Sequence, residues 1–183
     1  MAKIIAAINT TIDGYCDHTV MIADDEIHQH YNELLRSGGG LIYGRITYQL
    51  MEGFWPTIVK NPSGNQPVDE FAVLIDAIPK IVFSRTLKSV DWNNARLASR
   101  SLEEEILELK KFPGKDISVG SRSLIVELLN LKLIDELQLC IQPILVGRGL
   151  PLFEGIDGRI TFELRKTKTF RNGAIIQYYL PNS

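Results

Sequence analysis

Short apolar runs alternate with segments of helical periodicity along most of the chain. The first run, at 3–9, is rich in Ile and Ala, which is typical of a strand covered on both faces. In the later segments, apolar residues also recur at the spacing of amphipathic helices. The pattern predicts strands at 3–9, 40–44, 80–84, 116–120 and 135–147. It predicts helices at 24–37, 45–52, 68–78, 101–112 and 121–134.

Local signals mark several of the predicted boundaries. Acidic residues open the helix at 24–37, as suits the helix dipole, and a triple glycine ends it. Ser101 and Glu104 form a capping-box pattern at the start of the helix at 101–112. Proline and glycine recur between 53 and 67, so we predict a surface loop there.

The C-terminal part of the chain predicts a β-hairpin. Asn172 and Gly173 lie between two alternating segments within 160–180, which is a strong short-range hairpin signal. Strands that alternate with helices and end in such a hairpin predict an α/β fold. We expect a mixed, mostly parallel sheet covered on both faces, with an antiparallel edge. The length of 183 residues fits a single domain over 1–183.

Composition and charge exclude some classes of function. The formal net charge is −2 and the basic residues are dispersed, so we expect no nucleic-acid partner. The two cysteines are not clustered, and His28 and His30 are two positions apart on a helix, so we expect no metal site. The N-terminal apolar run is too short for a signal peptide or a membrane span, and we expect a cytoplasmic protein.

Three predicted turns from a strand into a helix carry residues suited to phosphate. In the first, Gly44 allows close approach of a ligand, Arg45 offers a forked donor, and Thr47 follows. In the second, Ser84 and Arg85 supply a hydroxyl and a guanidinium. Taken alone, each of these two patterns is more often structural: the first a simple turn with a solvent-exposed arginine, the second a polar loop.

The third turn combines Gly120 with Ser121 and Ser123 at the start of a helix. These residues suit a pyrophosphate, although either serine is also an ordinary helix cap. All three turns follow the carboxyl ends of predicted strands. Because parallel strands place those ends at one edge of the sheet, we expect the three turns to converge on one crevice.

Four stretches of the sequence also carry a family resemblance. They are TIDG at 11–14, LIYGRITYQLM at 41–51, KIVFSRTL at 80–87, and the block at 117–155. That block runs from the glycine turn through a helix to a strand ending in Pro-Ile-Leu-Val-Gly-Arg-Gly. Over nearly its whole length the chain resembles the dihydrofolate reductase superfamily, most closely the reductase (C-terminal) domain of the bacterial bifunctional riboflavin-biosynthesis enzyme.

The resemblance implies a three-layer α/β/α sandwich that binds NADPH across the carboxyl edge of its sheet. It implies phosphate contacts from the first turn, an adenosine 2′-phosphate at the second, a pyrophosphate at the third, and a loop at 13–14 that closes over the nicotinamide. The implied cofactor residues are Asp13, Gly14, Gly44, Arg45, Thr47, Ser84, Arg85, Gly120, Ser121, Ser123 and Leu124. Ser121 replaces the second glycine usual in the family, and we expect it to crowd the pyrophosphate.

A proton donor is expected at the start of the first helix, where dihydrofolate reductases carry a carboxylic acid. That region of the chain has Asp24, Asp25 and Glu26, of which we select Asp25 as the candidate catalytic residue. The other explanation is that all three are solvent-exposed acids in the first turn of a helix.

The leading hypothesis is an NADPH-dependent reductase that transfers hydride to a pterin- or pyrimidine-like heterocycle. The reductase in this hypothesis resembles 5-amino-6-(5-phosphoribosylamino)uracil reductase. Two alternatives stay open: dihydrofolate reductase proper, and a non-catalytic nucleotide-binding protein that kept the fold. The resemblance also implies a homodimer formed through the later strands, to which the apolar segment 134–146 would contribute.

Overall fold

A computed structural model describes residues 1–22, 24–111 and 113–182 of the chain. The strands are β1 (Ile4–Thr11), β2 (Gly40–Gly44), β3 (Lys80–Phe83), β4 (Ala95–Leu97), β5 (Ile117–Val119), β6 (Glu136–Gln142), β7 (Phe162–Thr169) and β8 (Ile175–Pro181). The α-helices are α1 (Asp25–Ser37), α2 (Arg45–Lys60), α3 (Gln66–Ala77), α4 (Leu102–Lys111) and α5 (Arg122–Asn130). A short 3₁₀ helix covers His18–Val20.

The strands form one mixed sheet in the order β4-β3-β2-β5-β1-β6-β8-β7. The pairs from β4 through to β6 are parallel, and the β6–β8 and β8–β7 pairs are antiparallel. This architecture confirms the predicted α/β fold with a C-terminal antiparallel hairpin. Gly173 has the positive φ of 87° that the hairpin connection requires.

Helices cover both faces of this sheet. Alternate residues of β2 point to opposite faces: Ile42 packs with α4 and α5, while Leu41 and Tyr43 pack with residues of α1, α2 and α3. A third cluster joins α1 to β6 and β8, through Ile27, Cys140 and their neighbours. We call the face under α1, α2 and α3 the α1 face. The three-layer arrangement follows from these apolar clusters.

Helix α2 is longer than predicted. Residues 53–60, assigned to a surface loop from their glycine and proline content, continue the helix through Pro56 to Lys60. Proline inside a helix costs about 3 kcal/mol, because a backbone hydrogen bond is lost and the ring clashes with the preceding turn. Packing of Trp55 on Phe71 of α3, with ring centroids 4.5 Å apart, offsets that cost. Only residues 61–65 separate the two helices.

Two later elements are shorter than predicted. Helix α5 ends at Asn130, and Lys132 beyond it has a positive φ of 57°. Strand β6 ends at Gln142 because Pro143 has no N–H with which to continue the ladder. Strand β4 is new and has three residues, too few to show an alternating pattern. The Ser101–Glu104 capping box is confirmed: each residue's backbone N–H donates to the other's side chain.

Candidate nucleotide-binding site

The structure brings the three turns together at one edge of the sheet. They line a cleft of about 280 Å³, just below the roughly 300–1,000 Å³ of most small-molecule pockets. The cleft residues are Gly44, Arg45, Ile46, Thr47, Phe83, Ser84, Arg85, Thr86, Ser121, Ser123 and Leu124. The predicted convergence of the turns is therefore confirmed as geometry. Three of these residues, Ile46, Phe83 and Thr86, are not among the site residues predicted from the sequence. Ile46 and Phe83 carry no polar group that would have marked them.

A direct hydrogen bond joins the first turn to the third. The backbone N–H of Gly44 donates to Oγ of Ser121 over 2.9 Å. Ser121 is 2% exposed and has an ordinary extended backbone, with φ −98° and ψ 119°. The Ser121 side chain is almost fully buried and holds the two turns against each other. That Ser121 crowds a pyrophosphate stays a prediction.

Two helices begin at this cleft. Helix α2 starts after Gly44 and helix α5 after Ser121, and neither of these cap residues places a side chain on the N–H groups of its own helix. The first N–H groups of a helix have no partner within it, and they carry the positive end of the helix dipole. Such helix starts are suited to bind an anion.

The charged residues that line the cleft are both positive. Arg45 and Arg85 are exposed, and the cleft lining contains no acidic residue. Arg45 donates to Gln49 of the same helix at 3.1 Å. Neither arginine forms an ion pair within the described part of the chain. Ser84 accepts hydrogen bonds from the N–H groups of Thr86 and Leu87, which fixes the shape of the second turn. This combination of donors suits phosphate.

Asp13 and Gly14 lie in a different loop. The carboxylate of Asp13 accepts hydrogen bonds from Thr11 Oγ1 at 2.6 Å and from the N–H groups of Gly147 and Val146 at 2.7 and 3.1 Å. The bonds from Thr11 and Gly147 hold the pKa of Asp13 below its usual value. Gly14 has a φ of 84°, and its carbonyl accepts from the N–H of Leu152. Both residues thus join the loop after β1 to the loop after β6, outside the cleft lining.

The structure also places the three acids at the start of α1, Asp24, Asp25 and Glu26, away from this cleft. Asp24 is the N-cap of α1 and accepts from the N–H of Ile27 at 2.9 Å. Asp25 is exposed and accepts from Asn65 Nδ2 at 2.8 Å, in a separate surface depression beside α3. Glu26 accepts from the N–H of Arg171 at 2.8 Å. Each acid therefore already has a protein partner.

A polar pair that sequence reasoning missed lies at the carboxyl ends of β1 and β6. Gln142 is fully buried, and its Nε2 donates to Oδ1 of Asn9 at 3.2 Å. Nothing in the local sequence marks these two amides, which are 133 positions apart. Among residues 1–22, 24–111 and 113–182, no group of three or more His, Cys, Asp or Glu side chains is arranged to hold a metal ion.

Comparison with known families agrees with this geometry. Residues 2–176 match the family model described as RibD C-terminal domain. The chain belongs to the RibD C-terminal domain family. One relative, the uncharacterized protein YyaP of Bacillus subtilis (strain 168), is 32% identical over 181 residues, which cover 94% of this chain and 92% of YyaP.

Solved structures share the fold of this RibD C-terminal domain. A putative riboflavin biosynthesis protein from Shewanella sp. PV-4 has a TM-score of 0.74 and 23% identity, with both chains covered fully. A pyrimidine reductase-like protein from Corynebacterium diphtheriae has a TM-score of 0.67 and 16% identity, covering 100% of this chain and 92% of the other. The dihydrofolate reductase of Enterococcus faecalis, solved with NADP(H), has a TM-score of 0.65 and 15% identity, covering 99% and 97%.

Proposed function

We propose that this protein is an NADPH-dependent reductase that transfers hydride to a pterin- or pyrimidine-like heterocycle. The observation that carries the proposal is the meeting of three strand-to-helix turns in one cleft. Two arginines with no acidic partner among the described residues, and two helix starts without a side-chain cap, face a single small volume there. That donor set fits a ligand with several phosphates, and membership of a reductase family makes NADPH the candidate.

Within this proposal the cleft residues have separate tasks. Arg45 and Thr47 bind a cofactor phosphate at the start of α2. Ser84 and Arg85 hold the adenosine 2′-phosphate, for which a guanidinium is a suitable partner. Ser121, Ser123 and Leu124 of the cleft form the pyrophosphate cradle together with Gly120, which directly precedes them outside the cleft lining. A Cβ at Gly120 would lie 3.7 Å from the carbonyl oxygen of Ala7, so the cradle sits directly against β1.

When bound, NADPH supplies the hydride, and the protein has to orient the two rings and keep water out. Asp13 and Gly14 would contribute by holding the loop after β1 near the reacting end of the cofactor. Asp25 stays a candidate proton donor, although its exposed carboxylate already accepts from Asn65. In the proposed enzyme, α1 has to rearrange, or a group other than Asp25 has to supply the proton.

Cofactor titration tests the proposal directly. We expect NADPH to quench the fluorescence of Trp55 and Trp92 with saturable binding, and to bind more tightly than NADH. Arg85→Ala should remove most of that preference, because the 2′-phosphate is the difference between the two cofactors. Arg159→Ala, which changes an exposed arginine outside the cleft lining, is the matched control. Absence of binding at millimolar NADPH contradicts the proposal.

A non-catalytic nucleotide-binding protein is the second candidate, because all three acids of α1 have structural partners. Dihydrofolate reductase proper is the third. They are separated by following NADPH oxidation with dihydrofolate and with aminopyrimidine substrates. The non-catalytic protein binds NADPH and oxidises none, while dihydrofolate reductase turns over dihydrofolate alone.

A homodimer stays a proposal too, and the topology limits how it would form. Strand β6 pairs with β1 on one side and β8 on the other, so its backbone is not available to a second copy. Strand β7, the outer strand of the C-terminal hairpin, forms the edge of the sheet. Any association through the later strands has to use β7 or a face of the sheet, and gel filtration measures whether it occurs.

A further inference from the structure

Each of the three turns carries an arginine, and the third one, Arg122, differs from the other two. Arg45 and Arg85 are exposed beside the cleft, whereas the side chain of Arg122 is only 22% exposed and lies outside the cleft lining. Arg122 is the first residue of α5, where the positive end of the helix dipole disfavours a cation. A largely buried cation at such a position calls for compensating contacts elsewhere.

Those contacts come from the segment at 150–154, which follows the loop after β6. Nε of Arg122 donates to the carbonyl oxygen of Pro151 at 2.8 Å, and Nη2 donates to the carbonyl oxygen of Glu154 at 2.9 Å. Nη2 also lies 3.2 Å from the Glu154 carboxylate, but that side chain is 71% exposed and adds little. Two backbone carbonyls are thus bound by a planar fork of donors that a lysine does not offer.

The segment bound by Arg122 in turn pairs with the loop after β1, at residues 12–16. An isolated antiparallel bridge joins the two stretches. Beside it, the N–H of Leu152 donates to the carbonyl oxygen of Gly14, and the N–H of Cys16 donates to that of Leu150, both at 2.9 Å. Arg122 therefore reaches the loop after β1 through one intermediate segment.

The other end of this path is the proposed cofactor cradle. Ser121 and Ser123 flank Arg122 in sequence, and both line the cleft. The backbone that carries the Arg122 guanidinium is thus the backbone that would face the pyrophosphate. Asp13 ties the same loop to 146–147, so the path through Arg122 is a second tie, and it leads directly to the cradle.

We propose that Arg122 is a positioning residue, which holds the loop after β1 at a fixed place beside the cofactor cradle through its hydrogen bonds to the segment at 150–154. Arg122 does not itself bind the cofactor, because its guanidinium is occupied by that segment. This inference rests on the proposed function, in which the loop after β1 lies near the reacting end of NADPH.

Cys16 supplies a probe of this loop. It is partly buried, and its thiol donates to the carbonyl oxygen of Leu150 at 3.5 Å, in the segment that Arg122 binds. Cys140, the other cysteine of the chain, is 1% exposed in the core. Labelling with iodoacetamide, read by mass spectrometry, therefore separates loop opening at Cys16 from unfolding at Cys140. We expect Arg122→Ala to speed labelling of Cys16 about tenfold while Cys140 stays protected.

Loss of the Arg122 charge does not explain such an acceleration. Burial raises the pKa of the Cys16 thiol, and the positive charge of Arg122 opposes that rise. Removing Arg122 therefore raises this pKa further, which reduces the thiolate and by itself slows labelling. Arg122→Lys keeps the charge but not the fork, and should also label faster than wild type. It replaces Arg122→Ala if that variant does not fold.

Chemical rescue separates positioning from a general loss of packing. Guanidinium ion, far below denaturing concentrations, can fill the space left in Arg122→Ala, and should restore slow labelling of Cys16. Asn130→Ala is the matched control, because Asn130 binds Gly155 and Asp157 about two turns further along the same helix. Guanidinium should not slow labelling in Asn130→Ala. Sodium chloride at the same concentration controls for salt.

Titration with NADPH distinguishes this inference from the proposed function. Arg122→Ala should bind NADPH within about twofold of wild type, because no contact to the cofactor is removed. Arg45→Ala should show the reverse, with weaker binding of NADPH and wild-type labelling of Cys16.

Several outcomes overturn the inference. They are wild-type labelling of Cys16 in both Arg122 variants, equal acceleration at Cys16 and Cys140, and failure of guanidinium to slow labelling in Arg122→Ala. A loss of NADPH affinity in Arg122→Ala as large as that in Arg45→Ala also overturns it, since Arg122 would then bind the cofactor. If NADPH fails to bind the wild-type protein, the proposed function is wrong, yet faster labelling that guanidinium reverses still supports the role of Arg122.

Discussion

The N–H of Gly44 donates to Oγ of Ser121 across 77 positions of sequence. The two residues meet because β2 and β5 are parallel neighbours, with Ile42 beside Val119. Strand β2 ends at Gly44 itself, and β5 ends two residues before Ser121. One hydroxyl therefore fixes the distance between the starts of α2 and α5, which are the two helix ends that face the cleft.

Ser121→Ala should loosen this arrangement. It leaves the Gly44 N–H without its acceptor, so we expect a loss of about 1 kcal/mol in the free energy of unfolding. NADPH binding should weaken several fold, because the two helix starts lose their fixed spacing. Ser123→Ala is the control for stability, since Ser123 is exposed on the same turn. Urea unfolding and cofactor titration measure the two effects, and an unchanged stability in Ser121→Ala would contradict the structural role of the bond.

Asp13→Asn should release the loop after β6 from the loop after β1. The substitution replaces one of two acceptor oxygens with a donor, while Asp13 accepts from Thr11, Val146 and Gly147. We expect faster hydrogen exchange at the amides of Val146 and Gly147. The exposed residue Asp157 in the same connection provides the control Asp157→Asn. Equal exchange rates in wild type and Asp13→Asn would show that the carboxylate does not hold the loop.

Because His30 is buried, we expect the free energy of unfolding to decrease in mild acid. His30 is 7% exposed, with Tyr31, Phe170 and Tyr178 around its ring. Burial, with smaller contributions from Lys168 and Lys166, lowers the pKa of His30 from 6.5 to about 4, against the opposing charge of Glu33.

The sign of the effect follows from proton binding. Between pH 6.5 and 4 the unfolded chain takes up a proton on His30 and the folded chain does not, so stability falls as pH falls. The loss reaches about 3 kcal/mol, from 1.36 kcal/mol per pKa unit. His30→Gln should show a smaller loss over the same range by urea unfolding. His18→Gln changes a surface histidine and should retain the wild-type dependence.

Lys80→Met should destabilise the fold. The Lys80 ammonium is buried under Trp92 and donates to the carbonyls of Asp76, Ile78 and Asn93 at 2.9, 2.7 and 2.8 Å. Methionine keeps the apolar stem but leaves those carbonyls without their donor, for an expected cost of about 2–4 kcal/mol. Lys88→Met, at an exposed position, should cost little. Comparable urea midpoints for the two variants would show that the buried ammonium contributes nothing.

The sequence predicts the position of the cleft better than it predicts the hydrogen-bond partners of the polar residues around it. The three turns each follow a short apolar strand, and parallel strands bring their carboxyl ends to one edge, so their convergence needs no knowledge of distant contacts. Glycine and proline content wrongly predicted a loop at residues 53–60, because packing of Trp55 on Phe71 outweighs the local preference of Pro56.

The acids at the start of α1 show most clearly what local sequence cannot predict. Their sequence suits both a helix start and a proton donor, and the choice depends on partners far along the chain. Asp25 meets Asn65, 40 positions away, and Glu26 meets Arg171, 145 positions away. The Asn9–Gln142 pair was missed for the same reason, because the only feature that marks either amide is its hydrogen bond to the other, 133 positions away.

The place of β1 in the sheet has a consequence for how the protein is made. Residues 4–6 pair with 117–119, and residues 5–11 pair with 136–142. The first strand to leave the ribosome therefore has no pairing partner until more than half of the chain has been synthesised. Contacts this distant in sequence make folding slow, because a long loop must close before any of them forms. The turns between 44 and 124 can assemble earlier, whereas Asn9 reaches Gln142 only after β6 has been synthesised. During translation, the cleft formed by the three turns therefore precedes the pairing of β1 with β6.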